Sequence, residues 1–241
     1  MGGSFRPYGR RGIASPDWAM IAVGLMALAL LAGAMVRTGT PAAQALFGTQ
    51  VGGLRTLSET ETLVLFEDHA SGVGDDAGWS AGLRNDDHPG LGAIWLVEPS
   101  DVVLTRDIAL PEGTIRAVLS LDLIAIDDWA LQGLSVAIGD LEVLQHRFTS
   151  RPGLDRPAAP APMNDGSLAL RARLDGPREQ GFAAGDPALA EERLRIELSV
   201  REPGDILTVT ITPLAAPGQA PAPDGPLWAV DNLILVADSQ P

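Results

Sequence analysis

Arg193-Leu194-Arg195-Ile196-Glu197-Leu198-Ser199-Val200 decides the fold. Apolar side chains take every even position and polar ones every odd position. A period of two puts one set on a core and the other in water, as in antiparallel sheets. The pattern extends outward. Leu168, Leu170 and Leu174 alternate with Arg171 and Arg173, and Leu207, Val209 and Ile211 with Thr208, Thr210 and Thr212. Ile115, Ala117, Leu119, Leu121 and Leu123 repeat it, and Val118, Ile124 and Ile126 make the other face partly apolar too, which marks a long central strand. Gly139-Asp140 separates Leu134–Ile138 from Leu141–Leu144, and Gly at the first position of a two-residue loop suits a type II′ hairpin. About ten strand candidates follow Thr62. One short helical turn is expected within Asp186–Arg193, where Pro187 sits early. Many short strands without intervening helices predict an all-β domain, an antiparallel β-sandwich or jelly roll.

Upstream, Trp18–Val36 reads WAMIAVGLMALALLAGAMV and carries no charge. Nineteen residues make a helix of roughly 28 Å, close to the hydrocarbon thickness of about 30 Å. Lipid leaves a helix as the form expected there, because it offers backbone groups no partner. A single transmembrane helix is therefore expected ahead of the sandwich. Arg6, Arg10 and Arg11 precede it against Asp17, and only Arg37 follows closely, which predicts a cytoplasmic tail at 1–17 and export of the remainder. A cleaved signal peptide ending at Ala43-Gln44-Ala45 is the alternative. The run exceeds the usual h-region of about 7–15 residues, and Arg37 interrupts the approach to that site. Ala29-x-x-x-Gly33 is a small-x-x-x-small pair that permits close helix approach, though an Ala-rich run supplies such pairs by chance. Residues 37–61 read as a linker and 62–238 as one folded domain, with Arg151–Gly166, Asp175–Ala190 and Ala215–Pro226 as surface loops.

The chain is 46% hydrophobic, enough for a core beyond the anchor, and holds 0 Cys, which excludes a disulfide framework, thiolate metal sites and a bacterial lipid anchor. A formal charge of −14 weighs against nucleic acid and anionic lipid headgroups as partners.

The opening Leu65-Phe66-Glu67 with Gly78-Trp79, and the closing Trp228-Ala229-Val230-Asp231-Asn232-Leu233, resemble the two ends of calcium-stabilised jelly-roll modules of the carbohydrate-binding type. In that family the opening and closing strands lie side by side and an acid from each commonly holds a structural calcium ion. The resemblance implies Glu67 and Asp231 as calcium ligands here. Calcium takes six to eight oxygens, and a carboxylate on an otherwise apolar face needs a cation or hydrogen-bonding partner. Strand ends open to water are the alternative setting for both acids. Asp122–Trp129 resembles the strand and turn of uncharacterised exported bacterial jelly rolls, with Ala130 where those often carry an acid. The bacterial character of anchor and resemblance makes the exported compartment the periplasm and the membrane the inner membrane.

Candidate ligand contacts are Trp129 and Trp79, as flat faces for sugar stacking, with Asp127 and Asp128 beside Trp129 at a strand end. Trp129 is the one expected at an exposed rim; burial is the commoner fate of Trp. Trp228 is expected in the core with Val230, Ile234 and Val236. The acidic stretches Gly74-Asp75-Asp76 and Asn85-Asp86-Asp87-His88 read as solvated turns or a polar rim, and His69, His88 and His146 lack zinc spacing. Without Gly-x-Ser-x-Gly, His-Glu-x-x-His or a phosphate loop, a non-catalytic protein is expected. The expected function is a periplasmic binding module contacting a glycan or envelope protein. The alternative is an accessory structural subunit packing on a larger integral membrane complex.

Overall fold

The computed structural model describes residues 57–67, 78–88, 91–98, 101–151, 153–178, 190–220 and 225–239. The apolar stretch 18–36, His69 and Asp75–Asp76 lie outside them. Among the described residues no helix is long and apolar enough to cross a membrane. The chain divides into two compact units, Met1–Glu59 and Thr60–Pro241. Among its described residues the second is all-β, with antiparallel pairing throughout.

Its strands are β1 (Glu61–Glu67), β2 (Leu83–His88), β3 (Gly92–Val97), β4 (Leu104–Ala109), β5 (Thr114–Ala125) and β6 (Ala130–Ile138), then β7 (Leu141–Thr149), β8 (Met163–Asn164), β9 (Leu168–Arg178), β10 (Glu191–Arg201), β11 (Ile206–Leu214) and β12 (Trp228–Ser239). The large sheet runs β2-β3-β12-β5-β10-β9-β8, and the small one β4-β11-β6-β7. One flank of β12 pairs with β5. The other is shared by β3, along Trp228–Val230, and β1, along Leu233–Asp238. Opening and closing strands are thus hydrogen-bonded neighbours.

Alternation builds the sandwich as expected. Leu119, Leu121 and Leu123 of β5 and Leu194, Ile196 and Leu198 of β10 form one core with Leu134 and Val136 of β6 and Leu207, Val209 and Ile211 of β11. Each buried aliphatic side chain contributes about 1.5–3 kcal/mol. The Gly139-Asp140 hairpin takes Gly139 at φ 55°, as the type II′ turn requires.

Two expectations change. Glu191–Arg193 belong to β10, so no helical turn reaches them, and 179–189 lie outside the described residues. Second, a bulge between Asp231 and Ile234, with Asn232 at φ 51°, inserts one residue and reverses the parity of β12. Trp228 and Val230 therefore share the core with Leu233 and Leu235, not with Ile234 and Val236. Asp231 sits on the outer face, opposite its cross-strand partner Asp122.

Candidate functional site

Glu67 and Asp231 are not brought together. Glu67 stands opposite Leu233 at the end of β1, on the inner side of the large sheet. Arg106, between Leu104 and Ile108 on the inner side of β4, reaches across from the small sheet. Its Nη1 and Nη2 donate to Glu67 Oε2 and Oε1 at 2.5 and 2.6 Å. The pair is mostly buried, with side-chain exposures of 8% for Arg106 and 14% for Glu67. The Arg106 guanidinium also lies 5.6 Å from the ring centroid of Trp79, which is itself buried. Trp79 is thus a packing partner of an inter-sheet ion pair rather than a sugar platform.

Asp231 accepts from Asn232 N at 2.8 Å and Asn232 Nδ2 at 3.2 Å. The same Nδ2 donates to Asp122 Oδ2 at 2.9 Å. Asp122, 1% exposed, also takes Arg195 Nε and Nη2 at 2.9 and 3.1 Å and Arg193 Nη1 at 3.4 Å. Guanidinium and amide donors therefore surround Asp122 on this face. Among the described residues no three or more His, Asp and Glu side chains are grouped to hold a metal ion.

The Asp127–Trp129 segment builds a different kind of site. The β5–β6 turn holds Asp127 at φ 62°, and Leu131, the second residue of β6, stands at 69°. Such conformations cost about 1–3 kcal/mol each and persist where the surroundings over-determine them. Ser150 supplies that constraint: its Oγ donates to Asp127 O at 2.6 Å and accepts from Trp129 N at 3.0 Å, and its N donates to Trp129 O at 3.0 Å. Trp129 is 2% exposed, against the rim position expected of it. Its indole N–H donates to Ile126 O at 3.1 Å and Leu227 O at 3.0 Å, which draws the ring inward, and Phe148 meets it edge-on at 5.3 Å. Asp128 is held by Arg151 at 2.5 and 2.6 Å, which lowers its pKa. Burial, then the Asp128 charge, raises that of Asp127, whose Oδ1 is buried without a hydrogen-bond partner.

Trp129 forms part of the wall of a shallow cleft of about 140 Å³, with Gln132 and Gly133 on one side and Pro213–Ala216, Gln219 and Pro226 on the other. Arg147 of β7 staples the two sides, its Nη1 donating to Leu131 O and Ala215 O at 2.7 Å each. Gly133 permits the close approach of β6 and β7, since a Cβ there would stand 2.3 Å from His146 O. Gln132 Oε1 accepts from Ala130 N at 2.6 Å, fixing the side-chain amide. Sequence reading found Trp129 and missed Arg147, Gln132, Gln219 and Asp101, because these come from four separate segments, before β4, on β6, on β7 and just after β11, that only the fold brings together. Trp79, Asp127 and Asp128 do not line the cleft.

A buried polar group lies near the start of β10, where β7 of the other sheet ends. Glu192 of β10, 1% exposed, pairs with Arg156 from the β7–β8 connection and accepts from Thr149 N at 3.3 Å. Burial raises its pKa against the pull of Arg156. His146 is 4% exposed, and burial and the Arg156 charge lower its pKa to about 4.

Fold and cleft together define an antiparallel β-sandwich by its architecture: two packed sheets with a stapled surface cleft. No protein-family model matches the sequence, and comparison with curated proteins finds none similar to it.

Proposed function

We propose that the protein is a non-catalytic binding module, anchored in the inner membrane by residues 18–36, whose periplasmic sandwich contacts a glycan or envelope protein through the Trp129 cleft. The neighbouring opening and closing strands support a jelly-roll arrangement. The observation that carries the proposal is the stapled cleft: two walls distant in sequence, one of them strained, are locked by a single guanidinium. Rigid preorganised walls lower the ordering cost of binding. Among the described residues its lining has a single carboxylate, Asp101, and no histidine or hydroxyl side chain, which favours recognition over acid–base or nucleophilic turnover. Structural calcium is not part of the proposal, because Arg106 already satisfies Glu67.

Mass spectrometry of what co-purifies with the full-length, detergent-extracted protein tests it, using Gln219→Trp to fill the cleft mouth and Arg147→Ala to release the staple. A partner held by the wild type and lost from both variants is expected. An unchanged set of partners in Gln219→Trp removes the cleft from the function.

A further inference from the structure

We infer that the sandwich carries a second site, a pocket for a phosphate group between Arg116 and Arg201, which shares no lining residue with the Trp129 cleft. A cavity of about 90 Å³ opens there, walled by Arg116 of β5, Ser199 and Arg201 of β10, and the β8–β9 turn from Asn164. It is small beside the roughly 300–1,000 Å³ of pockets for whole small molecules, so it takes one group of a larger ligand.

Charge gives the class of that group. The arginines on the outer face of β9 and β10 are matched by acids, with one exception. Arg193 and Arg195 donate to Asp122, Arg173 pairs with Asp175 at 3.1 Å, and Arg171 stands opposite Glu197. Arg201 instead stands opposite Arg116. Such cross-strand neighbours have Cβ atoms about 4.5–5.5 Å apart, where like charges repel. Arg116 gives Nη2 to Glu61 at 3.2 Å and Asp238 at 3.4 Å. Arg201 makes no ion pair among the described residues. An anion set between the two guanidiniums turns their repulsion into charge-assisted hydrogen bonds. Among the described residues the lining holds no carboxylate, which leaves a cation nothing to bind. The chain's net charge of −14 weakens such a site without placing an acid in its wall.

The remaining donors favour phosphate over carboxylate. Asn164 Oδ1 accepts from Gly166 N at 3.0 Å, which leaves its NH2 to donate, and Ser199 adds a hydroxyl. A planar carboxylate is satisfied by one guanidinium fork, whereas donors from three strands match the several oxygens of a phosphate. The frame is built before any ligand arrives. Asp165 Oδ1 ties the turn by accepting from Ser167 N, Ser167 Oγ and Leu168 N at 2.9, 2.9 and 2.7 Å. Arg201 N donates to Ser167 O at 2.8 Å, and Glu202 N to Ile115 O at 2.9 Å, which fixes Arg201 between turn and β5.

Amide ¹⁵N–¹H spectra of the full-length protein in an uncharged detergent test the site at constant ionic strength. The probes are inorganic phosphate, glycerol phosphate and phosphatidylglycerol added to the micelles, with chloride and acetate as controls. A saturable shift of the Ser167, Ser199 and Arg201 amides with a phosphate probe, and not with the controls, is expected; the probe that binds tightest tells a lipid source from a soluble one. Arg201→Gln is expected to weaken that binding about tenfold or more, as for one lost charge-assisted bond. Arg171→Gln, on the same face but outside the pocket, is expected to leave it unchanged. Equal shifts with chloride or acetate, equal loss in both variants, no loss in Arg201→Gln, or no response to any phosphate probe overturns the inference.

Discussion

Arg106 and Glu67 join the two sheets, and removing either charge leaves the other buried without its counter-ion. Both side chains are mostly buried, and two parallel contacts of 2.5 and 2.6 Å link them. Breaking one partner of such a pair costs about 3–5 kcal/mol, while replacing both by apolar side chains of similar volume is neutral or even stabilising. For a chain this long each kcal/mol moves the melting temperature by about 2–4 °C, so Glu67→Gln and Arg106→Met are each expected to lower it by about 6–20 °C. Arg106→Met loses the Trp79 contact as well and falls at the larger end. The double variant Glu67→Leu/Arg106→Met is expected to recover most of the loss, giving a coupling of more than about 1 kcal/mol in a double-mutant cycle read by urea unfolding. Two additive single losses would refute the reasoning, and so would an effect of Glu67→Gln that appears only when calcium is present.

Further outcomes follow from the same geometry. His146 has its ordinary pKa of 6.5 lowered to about 4 on folding. The unfolded chain takes that proton first, so stability falls as pH drops from 6.5 towards 4, by about 3 kcal/mol in all. Glu192, raised by burial, works in the opposite sense near the acid end, so the decline is cleanest above pH 5 and disappears in His146→Leu; urea unfolding at stepped pH reads it. Gly133→Ala forces a Cβ against the His146 carbonyl and is expected to cost about 1–3 kcal/mol or more, whereas Gly139→Ala meets open space and costs only the left-handed strain of about 1–2 kcal/mol; thermal melts compare them. Asn232→Gly keeps the bulge and loses its bond to Asp122, for about 1 kcal/mol, while Asn232→Val adds strain and costs more. Because Arg106 takes both Glu67 oxygens and Asp231 lies on the other face of the sheet, Glu67→Gln is expected to lower the melting temperature equally in calcium and in a chelator; thermal melts in both buffers read it.

Alternation in β5, β9, β10 and β11 revealed a half-buried antiparallel sheet because a period of two is a local property. The II′ hairpin at Gly139 was legible for the same reason. What escaped was non-local or depended on one inserted residue. The Asn232 bulge turns Asp231 outward and Leu233 inward, and nothing in the Trp228–Leu233 pattern announces it before Asn232 is seen at positive φ. The partner of Glu67 lies 39 residues away on the other sheet, where Arg106 reads as an ordinary polar strand position. Trp129 follows two acids, which suggests a wet rim, but two backbone carbonyls hold its N–H inside. The second cleft wall comes from a Pro-rich loop whose composition says only that it is a loop.

The account turns most on where a ligand meets the sandwich. Indole ¹⁵N–¹H spectra of the Trp-labelled full-length protein, recorded with and without the partner recovered by co-purification, read that position. The Trp129 signal, assigned by Trp129→Phe, is predicted to shift on binding while that of Trp79 beside Arg106 stays fixed. A bound complex in which Trp129 is unmoved and Trp79 shifts would place the contact elsewhere and contradict the cleft.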